Sequence, residues 1–339
     1  MTLKQLLMTM VERGGSELHL LINSPPQLRI DGYLTPLDTP VLEPASLLEL
    51  VSRGVPADVG LGLAHADRET YVWYEFGLGR FAFSSIRDYA GSPIVIIRHL
   101  PTEILGGAEL GLPDHIRLSH AGLFLIGGDV QSGRSTIMNA VIDRQNRECH
   151  EAIMIFGDAT SFLHPHKSSL VTVLPATASV EAVEAAGGLS GVDVVALDGR
   201  YDRRDIQALL RASQRGRTVI ATHFGRRATT VVRNIVELVP AEDRASALRV
   251  LADHLGWIVT VVRIPRRDRK GFVVVHEFLN VTDEVRQMLA AARYDNVEKL
   301  LEQDDPYSLQ KSLPKSVRQV LLSRRVSKET AELYTGCRL

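Results

Sequence analysis

The stretch "LFLIGGDVQSGRSTIMNA", Leu123 to Ala140, decides how the rest of the chain is read. An apolar strand, Leu123 to Ile126, runs into a glycine-rich turn, and the pattern predicts a helix starting near Ser135. Gly128, Gly133 and Ser135 fit the spacing G-x-x-x-x-G-K-[ST] of a phosphate-binding loop, with Arg134 where the lysine belongs. In such a loop successive backbone N–H groups face the phosphates at the positive end of a helix dipole. The hydroxyl of the final Ser or Thr reaches Mg²⁺, a role for Ser135, and Thr136 follows it. Arg134 keeps the charge of the lysine but replaces a compact ammonium by a larger planar fork. The loop by itself leaves open a working nucleotide site, a damaged one and a coincidence.

Outward from that loop, the second half alternates strand and helix. Apolar strands are expected at Leu123–Ile126, Ala152–Phe156, Val194–Leu197 and Thr218–Ala221, with helices over Ser135–Arg147, Ser179–Ala186 and Asp205–Ser213. Continuous apolar strands between helices predict a parallel sheet covered on both faces. Beyond it, "GWIVTVVRIP" and "GFVVVHEFL" read as a hairpin around the polar "RRDRK", followed by a helical tail.

The first half has a different grammar. Leu3, Leu6, Leu7, Met10 and Val11 share a helical face, with Thr2 as cap and Gly14-Gly15 as stop. "SELHLLI" and "PQLRIDGYL" read as strands with Asp31-Gly32 as a turn, and a helix follows over Ser46 to Arg53. "ETYVWYEFG", "GRFAFSSIR" and "SPIVIIRHL" complete a small α/β unit with a largely antiparallel sheet. Residues 1–99 are therefore expected as one domain, 100–112 as a Gly- and Pro-rich linker, and 113–339 as a second domain.

The bulk numbers are those of an ordinary globular protein. With 39 basic and 40 acidic residues the net charge is −1, which gives no pull toward nucleic acid. The two cysteines, Cys149 and Cys337, form no C-x-x-C motif, so neither a zinc site nor a disulfide framework is indicated. No apolar run approaches the ~20 residues of a membrane span, and the expectation is a cytoplasmic protein.

Several distant stretches, in order, resemble one family. Ser16-Glu17-Leu18-His19, Pro25-Pro26 and Arg29-Ile30-Asp31-Gly32 resemble the opening of the PilT-type twitching-motility ATPases, in the secretion ATPase superfamily. "IIRHLP" resembles that family's exit into its interdomain linker, and "HEFLNVTDEVRQML" its segment after the hairpin. The resemblance implies an α/β fold, with a PAS-like N-terminal domain and a RecA-like, P-loop C-terminal domain whose sheet is mostly parallel. It also implies ATP and Mg²⁺ as ligands and a hexameric ring. The ring would be a homohexamer or mixed with an active paralogue. It would work on the cytoplasmic side of an inner-membrane pilus platform protein, with no nucleic-acid partner.

The same resemblance exposes departures. The family's "ITIEDPIE" corresponds here to "IMIFGDATS": Asp158 remains, while Gly157 takes the place of the carboxylate that acts as base and Ser161 that of the later glutamate. Glycine can neither accept a proton nor orient a water through a side chain. "DVILVGEMRD" corresponds to "DVVALDGRYD": Asp193 and Asp202 keep their places, but the Gly-Glu pair has become Asp198-Gly199. Asp198, one residue early, is expected on the opposite face of the strand unless a bulge re-aims it. "GTLHT" corresponds to "ATHFG", with His223 displaced by one. Of the family's N-domain arginines, Arg80, Arg87 and Arg98 remain, and Ala82 and Ala90 stand where others belong. Phosphoryl transfer depends mainly on positioning and charge stabilisation. The resulting expectation is a nucleotide-binding accessory or regulatory subunit with weak or no ATP hydrolysis. The alternative is a slow but genuine retraction motor in which Asp158 and Asp198 carry the carboxylate roles.

Other readings are blander. His164 and His166 in "LHPHK" are expected in a solvated turn rather than on a metal, His19 as packed or hydrogen-bonded, and Arg266–Lys270 as a polar hairpin tip. Val285, Arg286 and Leu289 fit a helix linked to retraction in the family, against a simple packing helix.

Overall fold

The computed structural model describes residues 1–54, 68–75, 77–119, 121–157, 162–175, 178–185, 187–199, 202–268, 270–303 and 309–338. The chain divides into two compact units, Met1–Glu103 and Ile104–Leu339.

In the first unit, helix α1 (Leu3–Glu12) starts where its residues require it. Thr2 and Gln5 form a reciprocal capping box, and Leu3, Leu6, Leu7 and Met10 are buried along one stripe. Strands β1 (Glu17–Leu20), β2 (Gln27–Ile30) and β3 (Tyr33–Pro36) follow, then helix α2 (Pro44–Gly54) and strands β4 (Arg68–Glu75), β5 (Gly79–Arg87) and β6 (Pro93–Leu100). Asp31 and Gly32 both have positive φ, 49° and 88°, the pair of left-handed residues that a two-residue hairpin turn needs. The sheet order is β3-β2-β1-β6-β5-β4, and its pairings are antiparallel. Period-two alternation sends Leu18, Leu20, Leu28, Phe81, Phe83, Val95 and Ile97 into a core with α1, Leu47 and Val51. On the other face Glu17 lies opposite Arg29 in register, and its Oε2 binds Arg29 Nε at 2.7 Å and His19 Nε2 at 3.0 Å. The hydrogen bond from His19, with help from Arg29, outweighs burial and holds the Glu17 carboxyl down to about 2. His19 is thus hydrogen-bonded, as its sequence reading expects.

The second unit carries a sheet of seven strands in the order β13-β12-β7-β11-β10-β8-β9. These are β7 (Leu123–Gly128), β8 (Ala152–Gly157), β9 (Leu170–Pro175), β10 (Val194–Leu197), β11 (Thr218–His223), β12 (Leu255–Pro265) and β13 (Phe272–Asn280). Neighbours pair in parallel except β13, which pairs antiparallel with β12. The helices are α3 (Arg134–Glu148), α4 (Val180–Ala185), α5 (Arg203–Gln214), α6 (Ala228–Glu237) and α7 (Arg244–His254), followed by α8 (Asp283–Ala290), α9 (Tyr294–Glu302), α10 (Leu313–Leu322) and α11 (Lys328–Thr335). An antiparallel first sheet and a mostly parallel second one form the α/β arrangement that the sequence predicts.

Alternate residues of the central strands feed two cores, one on each face. Leu125, Val195, Leu197, Val219 and Ala221 meet α5, α6 and α7. Phe124, Ile126, Val194, Ala196 and Ile220 meet Ile137, Met138, Val141 and Ile142 of α3. This parity places the functional side chains described below. The tail helices α10 and α11 bury Leu313, Val317 and Ala331 against Val262, Ile264 and Val275. In α8, Val285 and Leu289 are buried, while the Arg286 guanidinium donates to the carbonyls of Ala252 and Asp253. Among the described residues no helix is long and apolar enough to cross a membrane.

Candidate functional site

The carboxyl ends of β7, β8, β10 and β11 lie side by side, the edge at which open parallel sheets hold ligands. At the end of β7 the sequence forces a narrow path. A Cβ on Gly127 would lie 2.4 Å from Val231 Cγ2 and 2.7 Å from the Gly225 carbonyl. One on Gly128, at φ 154°, would lie 2.3 Å from Ser132 Oγ. Gly133 adopts φ 105° as the N-cap of α3 and contributes no side-chain cap. The first-turn N–H groups of α3 are therefore left to a ligand or to water. Ser132 is 5% exposed, and its hydroxyl has no hydrogen-bond partner inside the loop. A backbone that only glycines permit, an uncapped helix end and an orphaned hydroxyl together suit an anion.

Asp198 follows the last residue of β10 and is 6% exposed. Its backbone N–H donates to the Phe156 carbonyl at 2.8 Å, so the strand pattern continues one residue past Leu197. Its Oδ1 accepts from Ser135 Oγ at 3.0 Å and from Thr222 Oγ1 at 2.9 Å. The sequence reading expects Asp198 on the opposite face of the strand unless a bulge re-aims it; in the structure its side chain stands beside Ser135. Residue 198 has the parity of Val194 and Ala196, whose side chains face α3, and Ser135 opens that helix. No bulge is needed. Gly199 turns the chain at φ 106°, and its N–H donates to Thr222 Oγ1 at 3.1 Å. A hydroxyl at the helix start with a carboxylate beside it is the donor set that holds Mg²⁺ in phosphate-loop proteins. Ser135 and Asp198 would hold such an ion, which supplies charge neutralisation for phosphate oxygens.

Arg134 takes an unexpected position. Its guanidinium carbon lies 4.3 Å from the centroid of the Phe224 ring, a cation–π contact. Phe224 follows His223 at the end of β11 and is 42% exposed. Burial, and then the Arg134 charge, lower the His223 pKa to about 4, so this imidazole is neutral near pH 7. Two further arginines reach the loop. Arg226 Nε pairs with Asp129 Oδ2 at 2.6 Å, and Arg263 Nη1 donates to the Gln131 carbonyl at 2.9 Å. The sequence reading misses both, together with Phe224, since they lie 90 to 132 residues beyond the loop positions they touch, and it misses Thr222, 24 residues beyond Asp198.

The remaining predicted residues separate. Asp158 lies outside the described residues. Gly157 ends β8, with no side chain to offer. Asp193 accepts from the Ala152 N–H at 2.9 Å, and Asp202 caps α5, so both are structural. Thr136 stands in the first turn of α3. Arg80, Arg87 and Arg98 belong to the first unit, on β5 and β6. Arg80 is 8% exposed, Arg87 Nη1 donates to the Gly91 carbonyl at 2.8 Å, and Arg98 faces Ala82 in register. His164 is not in a solvated turn as expected. It is 9% exposed, with Nε2 at 2.7 Å from Asn139 Oδ1, and burial lowers its pKa to about 4. Among the described residues no group of three or more His, Cys, Asp or Glu is arranged to hold a metal.

No family model matches the chain. The type IV pilus retraction ATPase PilT of Pseudomonas aeruginosa is 24% identical over 98% of this chain and 99% of its own. The chain is a PilT-like protein of the secretion ATPase superfamily. The type IV pilus ATPase PilU of the same organism is also 24% identical, over 91% of this chain and 82% of its own. The fold of this PilT-like chain matches a crystal structure of the retraction motor PilT with bound ADP, with a TM-score of 0.80 at 24% identity over 98% of this chain and 96% of the other. It also matches the ATPase DotB of Yersinia pseudotuberculosis, with a TM-score of 0.81 at 16% identity over 98% and 92%.

Proposed function

We propose that this PilT-like chain is a nucleotide-binding subunit of a type IV pilus or secretion machine that hydrolyses ATP weakly or not at all and acts as an accessory or regulatory component of a ring. The observation that carries the reading is a division within one site. The parts that hold a nucleotide are present: the Gly128–Gly133 loop, the uncapped start of α3, and Ser135 bonded to Asp198. The parts that would drive turnover are not: Gly157 and Gly199 stand at the two carboxylate positions, and Arg134 is turned onto Phe224. ADP in the crystal structure of PilT supports ADP or ATP as the ligand, with Mg²⁺ on Ser135. A hexamer, alone or mixed with an active paralogue, and a platform protein at the inner membrane belong to the same reading. Phosphate release by the purified chain tests it: a rate at background supports the reading, and sustained turnover contradicts it.

One observation favours the alternative of a slow motor. Asp198 reaches Ser135, so a carboxylate does stand at the metal position. It stays the second reading because Asp198 already accepts hydrogen bonds from two hydroxyls there, Ser135 and Thr222, which suits holding a cation better than taking a proton from water.

A further inference from the structure

The glycine-rich loop carries a carboxylate of its own. Asp129 follows Gly128 directly, within the segment whose backbone would face a phosphate. An uncompensated negative charge at that place repels the anion that the rest of the loop is shaped to receive. Compensation comes from Arg226, whose Nε lies 2.6 Å from Asp129 Oδ2. The segment that delivers this cation is fixed on both sides. Thr260 Oγ1 donates to the Arg226 carbonyl at 2.8 Å. The next residue, Arg227, pairs through Nε with Glu277 Oε2 at 3.0 Å. Glu277 is fully buried, and its other oxygen accepts from the Ala228 N–H at 2.7 Å.

We infer that Arg226 is a positioning residue for phosphate binding: it cancels the charge of Asp129 and engages that carboxylate, so that the loop accepts an anion. The inference rests on the nucleotide reading above and deepens it. It assigns to Arg226 no contact with the phosphate. Arg263, donating to the Gln131 carbonyl at 2.9 Å, steadies the loop two residues further on.

A double-mutant cycle separates neutralisation from direct contact. ADP binding to the full chain is measured by titration calorimetry for the wild type, Asp129→Asn, Arg226→Ala and the double variant. Arg226→Ala alone is expected to weaken ADP binding about three- to fivefold. Asp129→Asn is expected to bind at least as tightly as the wild type, and the double variant to match Asp129→Asn within about twofold. Arg226→Lys keeps the charge and is expected to recover most of the affinity, which distinguishes charge from folding. An equal loss from Arg226→Ala in both backgrounds overturns the inference, because Arg226 would then act on the ligand itself. No loss in either background overturns it as well. A wild-type chain that binds neither ADP nor pyrophosphate overturns the nucleotide reading, and this inference with it.

Discussion

Ser135 donates to Asp198 at 3.0 Å, from the first turn of α3 to the residue just past β10, and Thr222 donates to the same oxygen from β11. Three elements of the sheet's carboxyl edge are thus tied to one buried carboxylate oxygen. Asp198→Ala leaves two hydroxyls without their acceptor and takes away the charge that would face Mg²⁺. A hydrogen bond to a charged group is worth about 1.5–3 kcal/mol. The tightening of ATP binding by Mg²⁺ should therefore fall about tenfold or more in this variant. Titrations with Mg²⁺ and with EDTA give that ratio, and an unchanged ratio would remove Asp198 from the metal position.

Restoring the lysine does not restore an enzyme. Arg134→Lys should leave phosphate release at background, since Gly157 and Gly199 still present no carboxylate to a water molecule. Removal of one electrostatic group costs ~10²–10³ in rate at comparable sites, so one repair among several losses remains below detection. A clear gain in phosphate release by the single variant would locate the whole defect at position 134.

How much of this was open to a sequence reading depends on range. The loop from Gly128 to Ser135 is local, so its spacing alone placed the turn and the helix start within one residue. Thr2, Asp31 and Gly32 are likewise local signals, and each does in the structure what its chemistry predicts. Strand β9 was missed because five of its six residues are not fully buried, which hides the apolar run expected of an inner strand. The facing of Asp198 stays open in the sequence because it depends on which side of the sheet α3 covers, and that is a tertiary fact. The Arg134–Phe224 and Asp129–Arg226 contacts join residues 90 and 97 positions apart, and no periodicity announces them.

Stability should respond to acid through buried histidines. His164, His223 and His276 have pKa values lowered to about 4, chiefly by burial, against 6.5 for the free side chain. Between those values the unfolded chain binds protons that the folded chain refuses. Stability is thus fully present above about pH 6.5 and is lost as pH falls toward 4. Denaturant unfolding at pH 7.5 and 4.5 should give a lower midpoint at the acid end. His276→Gln, which removes one such group, should reduce that difference, and an unchanged difference would contradict the assignment.

Gly128 has little freedom to change. Its φ of 154°, with Ser132 Oγ 2.3 Å and the Val261 carbonyl 2.7 Å from an added Cβ, leaves no place for a methyl group. Gly128→Ala should cost about 1–3 kcal/mol of stability and abolish ADP binding by moving the loop. A variant that keeps both the wild-type melting temperature and wild-type ADP affinity would contradict the loop geometry.

The central claim, binding without turnover, is tested most directly by titrating Mg-ATP into the purified chain while following the calorimetric baseline. The account predicts a saturable isotherm that returns to a flat baseline, with a shallower isotherm for Asp198→Ala. A baseline that keeps drifting with the heat of hydrolysis, and becomes flat in Asp158→Ala, would contradict it and identify a working motor.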